Sequence, residues 1–509
     1  MAIKVGGTEV ITNARQLSNI ASVDATTVAA LGTAGVGGGG GQFDAVASGT
    51  IANGALVSLN SDGTVSVTSA FAGAEQQIQA SSMRDHEVTY DTNSNKVVVL
   101  YADQGDGMNA KCVVGTVSGT SISFGTPVAI SSGSSSHLDI TFDSNSNKVV
   151  AVGKFSDNDG AQAVVGTVSG TSISFGSIAV IDEGSGENAT YIKCTFDSNS
   201  NKVVVAYRYH DGSQFRGKCR VGTVSGTSIS FGSDANVLNG NCIIGDITFD
   251  SNSNKVVVTI QDNTDSSAGK AFIGTVSGTS ISFGTGVAFV TQLAQSSHSS
   301  TFDSNSNKVV IIYEDNANSG KLTGIVGTVS GTSISFGSSV VAYANSYSFE
   351  NMVFDTNLNK VIVTFRDNNN AVAILTGAVS GTSISFGNPS ILNTRGNYIG
   401  IAFDPDTNQA VLAYRDENNS DRGTAVVGVP TGIDNFLKWI GFASAAISNS
   451  ATGTINVLGG VNEGQSSLEV GSTYYMTDAA ALSTTIVSGR EVGKALSATK
   501  LLITQGSVT

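Results

Sequence analysis

Asp143-Ser-Asn-Ser-Asn-Lys148 is one of seven versions of a short phrase that recurs through the middle of this chain. The versions begin 49 to 54 residues apart, and their leading residues are Asp91, Asp143, Asp197, Asp250, Asp303, Asp355 and Asp404. A fixed period of about 50 residues is typical of repeat architectures. The sequence therefore predicts seven copies of one structural unit.

One copy, residues 138–176, contains four segments with the character of strands. Residues 138–143 alternate apolar and polar side chains, and residues 148–152 form a continuous apolar run that suits a strand covered on both faces. A polar loop leads to residues 163–169, and a Ser-Gly turn leads to residues 171–176. Such a unit is a small antiparallel sheet with two apolar faces. Stacking seven of them radially covers those faces, so we predict an all-β fold with a seven-bladed β-propeller.

The seventh copy is incomplete. It stops at Gly428-Val-Pro-Thr-Gly432, without the Ser-Ile-Ser-Phe segment of the other copies. Asp62-Gly-Thr-Val-Ser-Val67, ahead of the first copy, resembles the missing strand. We expect this segment to complete the seventh blade, because closing the ring removes open strand edges.

The two faces of the predicted propeller differ. The turns between first and second strands and between third and fourth strands are nearly identical in every copy, and they define the constant face. The second–third loops and the links between copies define the variable face, where Gln104-Gly-Asp-Gly-Met-Asn109 corresponds to Tyr209-His-Asp-Gly-Ser-Gln-Phe-Arg216. Variable loops on a rigid scaffold are typical of binding sites. We favour recognition over neutral drift as the reason for this variation.

A second recurring position lies at the variable face. Six of the seven second strands end in Asp, and the third copy has Tyr209 there, followed by His210. The candidate binding residues are therefore Asp103, Asp157, Tyr209, His210, Asp262, Asp315, Asp367 and Asp416. A ring of carboxylates suits a cation or a hydroxyl-rich sugar. The other interpretation, which we favour, is that each Asp binds backbone amides of its own loop.

The sequence predicts no metal site and no cofactor. His86, His137 and His298 are assigned to the links between copies and lack metal-ligand spacing. The recurring Asp-Ser-Asn-Ser-Asn phrase lacks the Gly and Glu of a calcium loop, so it is interpreted as a hairpin turn. The four cysteines are sparse and irregularly spaced, and we expect them to be free.

Composition and motifs also narrow the function. The net charge is −14 and no Lys/Arg cluster is present, which argues against nucleic acid as a partner. The sequence contains no run of 18 apolar residues, so no membrane span is predicted. Nucleophile and phosphate-loop motifs are absent, so we do not expect an enzyme. Paired carboxylates for sugar hydrolysis remain an open alternative on the variable face.

The ends of the chain lie outside the repeats and carry other phrases. Val5-Gly-Gly-Thr-Glu-Val-Ile-Thr-Asn-Ala-Arg-Gln-Leu-Ser-Asn-Ile20 opens the chain. Further segments are residues 49–63, 440–447, 457–468, 474–476 and 493–503. These segments resemble the N-terminal phrase and a small β-domain of tail-fibre-like and other appendage virion proteins of marine tailed bacteriophages. The resemblance covers only the two ends of the chain.

This resemblance implies a virion appendage, often a homotrimer, that is anchored by its N-terminus. The propeller departs from the common pattern of that family, and it is predicted to be inserted into the small β-domain. The predicted parts are an N-terminal β anchoring and oligomerisation segment (1–33), a Gly-rich linker (34–42), the first part of the small β-domain (43–63), the propeller (64–432) and the second part of the β-domain (433–509).

The leading functional hypothesis is a phage tail fibre or adhesin-like virion protein, assembled in the host cytoplasm and released by lysis. Its expected partners are other virion proteins, through the N-terminal segment, and a glycan or protein of the host cell surface; neither nucleic-acid binding nor membrane insertion is expected. One alternative is a secreted non-viral bacterial adhesin, although the first residues lack the apolar core of a signal peptide. The other is a glycan-degrading propeller enzyme.

Overall fold

The computed structural model describes most of the chain. The described residues are 3–5, 8–11, 41–47, 51, 53–59, 64–67, 73–155, 160–182, 189–345, 347–387, 389–428, 439–448, 450–476, 482–484 and 491–504. The chain divides into two compact units, which are Met1–Ser69 together with Ile433–Thr509, and Ala70–Gly432. Within the described ranges, no helix is long and apolar enough to cross a membrane.

Three long antiparallel strands recur through Ala70–Gly432. The first strands are Gln76–Asp91, Ser136–Asp143, Thr190–Asp197, Cys242–Asp250, Leu293–Asp303, Ser348–Asp355 and Ser390–Asp404. The second strands are Lys96–Asp103, Lys148–Lys154, Lys202–His210, Lys255–Asp262, Lys308–Asp315, Lys360–Arg366 and Gln409–Asp416. The third strands are Asn109–Ser118, Ala161–Ser169, Phe215–Ser225, Ala268–Ser277, Lys321–Ser330, Ala371–Ser380 and Arg422–Gly428. Three short 3-10 helices in second–third loops are Gln104–Asp106, Asn316–Asn318 and Glu417–Asn419.

The recurring Asp phrase is a hairpin turn, as predicted. Asp143 Oδ1 accepts hydrogen bonds from the backbone N–H groups of Asn145 at 2.9 Å and Ser146 at 3.0 Å. Asn147 closes the turn with a left-handed φ of 53°, a conformation that Asn tolerates better than most residues. The same two bonds are present in all seven repeats.

The outer strand of a repeat consists of two short pieces. In the second repeat, Ser172–Phe175 pairs with one end of the third strand, and Ala179–Asp182 pairs with the other end. The other first pieces are Ser121–Phe124, Ser228–Phe231, Ser280–Phe283, Ser333–Phe336 and Ser383–Phe386. The other separate second pieces are Val128–Ala129, Ala235–Leu238, Val287–Val290 and Val340–Tyr343. In the sixth repeat, the start of Ser390–Asp404 takes the place of the second piece.

The seven first strands form a closed ring. Each contacts the first strand of the next repeat, and Ser390–Asp404 contacts Gln76–Asp91. Apolar layers fill the space between neighbouring sheets; one layer packs Val150 and Val165 of the second repeat against Ile192 and Val203 of the third. The four cysteines are free and buried, as predicted. This all-β arrangement is β-propeller-like.

Residues N-terminal to the first repeat complete the seventh, but they are not the residues predicted. The start of Gln76–Asp91 pairs with the third strand Arg422–Gly428. Gly73 lies against the backbone of Thr120 in the first repeat, as Gly176 of the second repeat lies against the backbone of Thr227 in the third. In the second repeat, Gly176 follows the Ser-Ile-Ser-Phe piece of the outer strand. Gly73 therefore occupies the equivalent position in the seventh repeat.

The assignment of residues 62–67 to the seventh blade is wrong. Val65–Val67 pairs with Leu56–Leu59, to which it is joined by a short connection, in the other compact unit. Val65 is buried there among Ala47, Val57 and Ile455. The nearby partner provides both a hairpin and an apolar environment for this strand.

The other unit joins the two ends of the chain in one sheet. Gln42–Val46 pairs with Thr452–Asn456, and Leu56–Leu59 pairs with Trp439–Ala443. A second sheet contains Val461–Asn462, Thr473–Met476, Leu482–Ser483, Glu491–Ser497 and Lys500–Ile503. Ile3–Val5 and Thr8–Ile11 form a separate hairpin. Within 1–33, the predicted anchoring segment, only this hairpin is described, and most of the predicted linker 34–42 lies outside the described residues.

Candidate binding pocket

A pocket of about 260 Å³ lies where the seven first strands converge. Every repeat contributes to its lining, always with residues four to six positions before its hairpin Asp. The lining residues are Asp85, His86, Glu87, His137, Leu138, Tyr191, Ile192, Lys193, Ile244, Gly245, His298, Glu350, Asn351, Tyr398 and Ile399. Because each first strand runs from the variable face towards the constant hairpin, the pocket belongs to the half of the ring nearer the variable face.

β-Bulges direct these segments into the pocket. In the first repeat, Arg84 pairs with Ala102 and Glu87 pairs with Leu100, so the first strand has one residue more than its partner between the two pairs. The same irregularity occurs at the corresponding place in the second, third, sixth and seventh repeats. A bulge turns side chains out of the regular alternation and is common beside binding sites.

The floor of the pocket is a network of charged and amide groups. Lys193 Nζ lies 2.9 Å from Glu87 Oε1, and Asn351 donates to Glu87 Oε2 at 3.1 Å. These side chains come from the third, first and sixth repeats. Asp139 and Asp246 stand at the same level; each accepts a backbone N–H of the next repeat, from Cys194 at 2.7 Å and from Ser300 at 2.6 Å.

Burial and neighbouring charge shift the ionisation of this floor. Burial raises the pKa of Asp139 to about 7, although the Lys193 ammonium opposes that shift. Burial also raises the pKa of Asp246. Burial alone lowers the pKa of Lys193, but the carboxylates of Glu87, Asp139 and Asp246 outweigh it and raise that pKa. Lys193 therefore acts as an internal counter-ion for the surrounding acids.

Five residues of the rim occupy one equivalent position, six residues before the hairpin Asp: Asp85, His137, Tyr191, Ile244 and Tyr398. Asp85 Oδ2 accepts the backbone N–H of His137 at 3.3 Å, and the rings of His137 and Tyr191 are 5.5 Å apart. An arginine of the adjacent second strand covers each tyrosine ring. The Arg208 guanidinium is 4.7 Å from the centre of Tyr191, and that of Arg415 is 5.4 Å from the centre of Tyr398. Such cation–π contacts limit the movement of the rings.

His86 adds a buried nitrogen to the pocket. Its Nε2 is 3.0 Å from the carbonyl oxygen of Ala413 in the seventh repeat. Its Nδ1 is buried without a hydrogen-bond partner among the described residues. Burial lowers the pKa of His86 to about 4, so the imidazole is neutral at neutral pH.

The structure does not bring the predicted aspartates together. Each one described accepts the backbone N–H two residues further on in its own loop, at 2.9 to 3.1 Å. This holds for Asp103, Asp262, Asp315, Asp367 and Asp416, and none of them lines the pocket. Lys111 and Lys270 also lie 2.9 Å from Asp103 and Asp262. Asp157 lies outside the described residues.

The third repeat differs because its second–third hairpin is longer. His210 pairs with Phe215 at the end of the hairpin, and their rings are 4.6 Å apart. Asp211 caps this turn by accepting the N–H of Gln214 at 2.9 Å. Tyr209 contacts Lys218, whose Nζ is 4.1 Å from the ring centre. In this repeat the Asp that caps the loop is therefore Asp211, two residues after the position it has in the other repeats. Tyr209, at that earlier position, is part of the regular strand.

The pocket itself was missed from the sequence. His86, His137 and His298 were assigned to links between copies, but they lie in the first strands Gln76–Asp91, Ser136–Asp143 and Leu293–Asp303. All three line the pocket. The available signal was their position, five or six residues before the hairpin Asp in each case.

No protein-family model matches the chain, and no curated protein matches its sequence. Solved structures do resemble it. The BP39L lectin from Burkholderia pseudomallei is 12% identical with a TM-score of 0.51, over 70% of this chain and 97% of that chain. The SapL1 lectin, solved with α-methyl fucoside, is 14% identical with a TM-score of 0.39, over 62% of this chain and 98% of its own.

A leech intramolecular trans-sialidase is 10% identical with a TM-score of 0.38, over 70% of this chain and 68% of that chain. Similarity at this level of identity concerns the fold alone, and of these three structures BP39L has a TM-score above 0.5. It agrees with the β-propeller-like arrangement of the repeats.

Proposed function

We propose that this chain is a carbohydrate-binding protein whose repeats form a seven-bladed β-propeller, with the binding site on the variable face. The observation that carries the proposal is the convergence of seven different strand segments on one pocket, while the opposite ends of the same strands are nearly identical. BP39L, whose fold is similar, is a lectin, and this supports carbohydrate as the ligand class.

The ring of first strands supports the proposal of seven blades. Seven such strands contact one another in a closed series, and each has second and third strands beside it. The seventh blade takes its outer strand from the start of Gln76–Asp91. With this strand, the third strand of the seventh blade has an outer neighbour, as the third strands of the other blades do.

The proposed setting is a phage virion appendage that attaches the particle to its host. The support is the resemblance of the chain ends to such proteins and the sheet in which the two ends pair. In this setting the N-terminal segment binds other virion proteins, the chain forms a homotrimer, and many weak glycan contacts add up through copy number. The protein binds glycan without cleaving it.

A glycan array probed with the purified full chain tests the binding function. We expect a restricted set of bound glycans and inhibition of binding by the same glycans in solution. Exchanging second–third loops between repeats should change the bound set. The control copies the sixth-repeat hairpin into the second repeat by Ser144→Thr with Ser146→Leu, and should bind as the parent does.

Two further results would contradict parts of this proposal. A folded protein that binds no glycan on the array contradicts carbohydrate recognition. Release of reducing sugar from a bound polysaccharide contradicts binding without catalysis. Immunogold labelling of virions tests the setting separately, since absence of label from the particle excludes an appendage role whatever the array shows.

A further inference from the structure

The rim of the pocket carries strained backbone at equivalent positions. Asp85, His137, Tyr191 and Tyr398 have left-handed φ values of 44°, 54°, 51° and 50°. This conformation costs an L-residue about 1–2 kcal/mol, and a bulky side chain seldom adopts it. Strain retained at one place in several repeats is typical of functional sites. All four side chains line the pocket, so the strained positions face the space that a ligand would occupy.

The pocket is rich in hydrogen-bond acceptors. Its lining contains the carboxylates of Asp85, Glu87 and Glu350 against one ammonium, that of Lys193. Lys193 is already bound to Glu87. Asp139 and Asp246 are two further acidic groups at the level of the floor, and burial favours their protonated forms. Carboxylates outnumber the ammonium in the lining, which favours a cationic ligand over an anionic one.

The hydrogen bonding of His86 independently indicates a ligand that donates hydrogen bonds. The carbonyl of Ala413 can only accept, so the neighbouring Nε2 of His86 must carry the proton. In the neutral imidazole, Nδ1 is then an acceptor, and it is buried without a partner among the described residues. A buried acceptor without a donor costs about 1–3 kcal/mol. A ligand N–H or O–H group would remove that cost.

The size and the aromatic lining limit the ligand further. Ligand pockets for drug-sized molecules range from about 300 to 1,000 Å³, so the 260 Å³ of this pocket suits one ring rather than an oligosaccharide. Tyr191 and Tyr398 supply aromatic surface, held in place by Arg208 and Arg415. Aromatic faces attract both the C–H face of a sugar and an ammonium group.

We infer that the central pocket binds one terminal hexose ring that carries a free amino group. The ammonium lies among the carboxylates of Asp85 and Glu350, hydroxyl donors reach Nδ1 of His86, and the sugar ring lies against the tyrosines. This inference rests on the proposed function and names its ligand and its subsite. It is confined to the pocket and does not involve the second–third loops.

Calorimetry with four small ligands tests the inference on the full chain. The ligands are methyl glucosaminide, methyl N-acetylglucosaminide, methyl glucuronide and ethanolamine. We expect methyl glucosaminide to bind, N-acetylation to weaken binding at least tenfold because it removes the charge, and the glucuronide not to bind. Ethanolamine should bind at least tenfold more weakly than methyl glucosaminide because it lacks the ring.

Two matched substitutions assign the site. Asp85→Asn should weaken methyl glucosaminide binding at least tenfold without changing the urea midpoint of unfolding. Asp265→Asn removes the same charge from an exposed loop of the fourth repeat, where Asp265 pairs with Lys270, and should leave binding unchanged. Equal effects of the two substitutions would show general charge attraction and overturn the assignment to the pocket.

The other outcomes separate this inference from the proposed function. Glycan binding that is indifferent to the amino group, or preference for the glucuronide, overturns the inference and leaves carbohydrate recognition standing. Equal affinity for ethanolamine overturns the sugar part of the inference. The protein could also bind methyl glucosaminide and no other glycan on the array. If Asp85→Asn then abolishes that binding, the result supports the pocket as the site and contradicts broader glycan recognition by the loops.

Discussion

The two ends of each first strand differ in how much their sequence varies between repeats. At the constant face, all seven repeats have the same Asp, the same pair of amide hydrogen bonds and the same left-handed Asn. Four to six residues earlier, no two repeats have the same three residues. The contrast shows that the hairpin end fixes the geometry of the strand, and that the pocket end can therefore vary its chemistry.

The largest expected effect is the pH dependence caused by Asp139 at the pocket end. The folded state keeps the Asp139 proton up to a pKa of about 7, whereas the ordinary value is 3.8. The unfolded chain releases this proton first, so stability falls as the pH rises from about 4 to about 7. At about 1.4 kcal/mol per pKa unit, the fall is up to about 4 kcal/mol. Urea unfolding of the parent and Asp139→Asn across this range measures it.

The sign of the pH dependence separates Asp139 from His86, whereas Asp246, whose pKa is also raised by burial, acts in the same direction as Asp139. His86, whose pKa is lowered by burial, contributes stability that rises with pH in nearly the same window, so the difference between parent and Asp139→Asn is the informative quantity. Asp103→Asn is the control. Burial raises the pKa of Asp103, but hydrogen bonds from Ser81 and Lys111 outweigh burial and lower it. Its contribution is therefore lost only below about pH 4, and equal slopes for parent and Asp139→Asn would contradict the prediction.

Removing the internal counter-ion should have the next largest effect. Lys193→Met leaves Glu87, Asp139 and Asp246 without their shared cation, which we expect to lower the free energy of unfolding by about 3 kcal/mol at pH 7. Chemical denaturation measures the change. Lys202→Met, at the constant hairpin, is the control and should change stability by less than about 0.5 kcal/mol. Similar losses in both variants would remove the distinction between the two strand ends.

The packing between repeats can be tested at Gly176. A Cβ at this position clashes with the carbonyl oxygen of Thr227 in the next repeat, so Gly176→Ala should destabilise the protein by about 2 kcal/mol through the backbone shift it forces. Gly170, in the turn just before, has a φ of +62° but open space around it. Gly170→Asn should be nearly neutral, because Asn tolerates that conformation. If Gly176→Ala leaves the free energy of unfolding unchanged, neighbouring repeats can move apart at this contact without a loss of stability, and the prediction is contradicted.

The smallest expected effect belongs to a constant hairpin. Asp143→Ala removes the acceptor for the Asn145 and Ser146 amides, and we expect a loss of about 1 kcal/mol. Asp143→Asn, which keeps an acceptor oxygen, should lose less. Glycan binding should be unchanged in both variants. A binding defect in a folded Asp143→Ala protein would contradict the separation of roles between the two faces.

Local chemistry explains which features were predictable from the sequence. The hairpins and the four strands of a repeat depend on turn residues and alternation within about 40 residues, and the repetition shows the pattern seven times. The ring closure depends on partners far apart in sequence. The likeness of residues 62–67 to a repeat strand did not reveal that Leu56–Leu59 is their partner.

The pocket was hidden for a different reason. Each bulge adds a residue and shifts the alternation, so Asp85-His-Glu87 and Tyr191-Ile-Lys193 do not show the regular pattern of a strand and resemble a link between strands. Their burial follows from the ring, in which all seven segments face a common centre. One copy of the repeat contains no information about that centre.

The closing strand also sets an order of events during synthesis. Gln77 and Arg422 lie side by side in the seventh repeat but are 345 residues apart in the chain. At ribosomal rates of about 5–20 residues per second, the N-terminal strand waits roughly 20 to 70 s for its partner. During that interval six repeats can fold while the ring remains open, so the nascent protein passes through an arc-shaped stage with two exposed edges. Pairing of those edges between neighbouring nascent chains would compete with closure, and a crowded polysome would be the place where that competition is strongest.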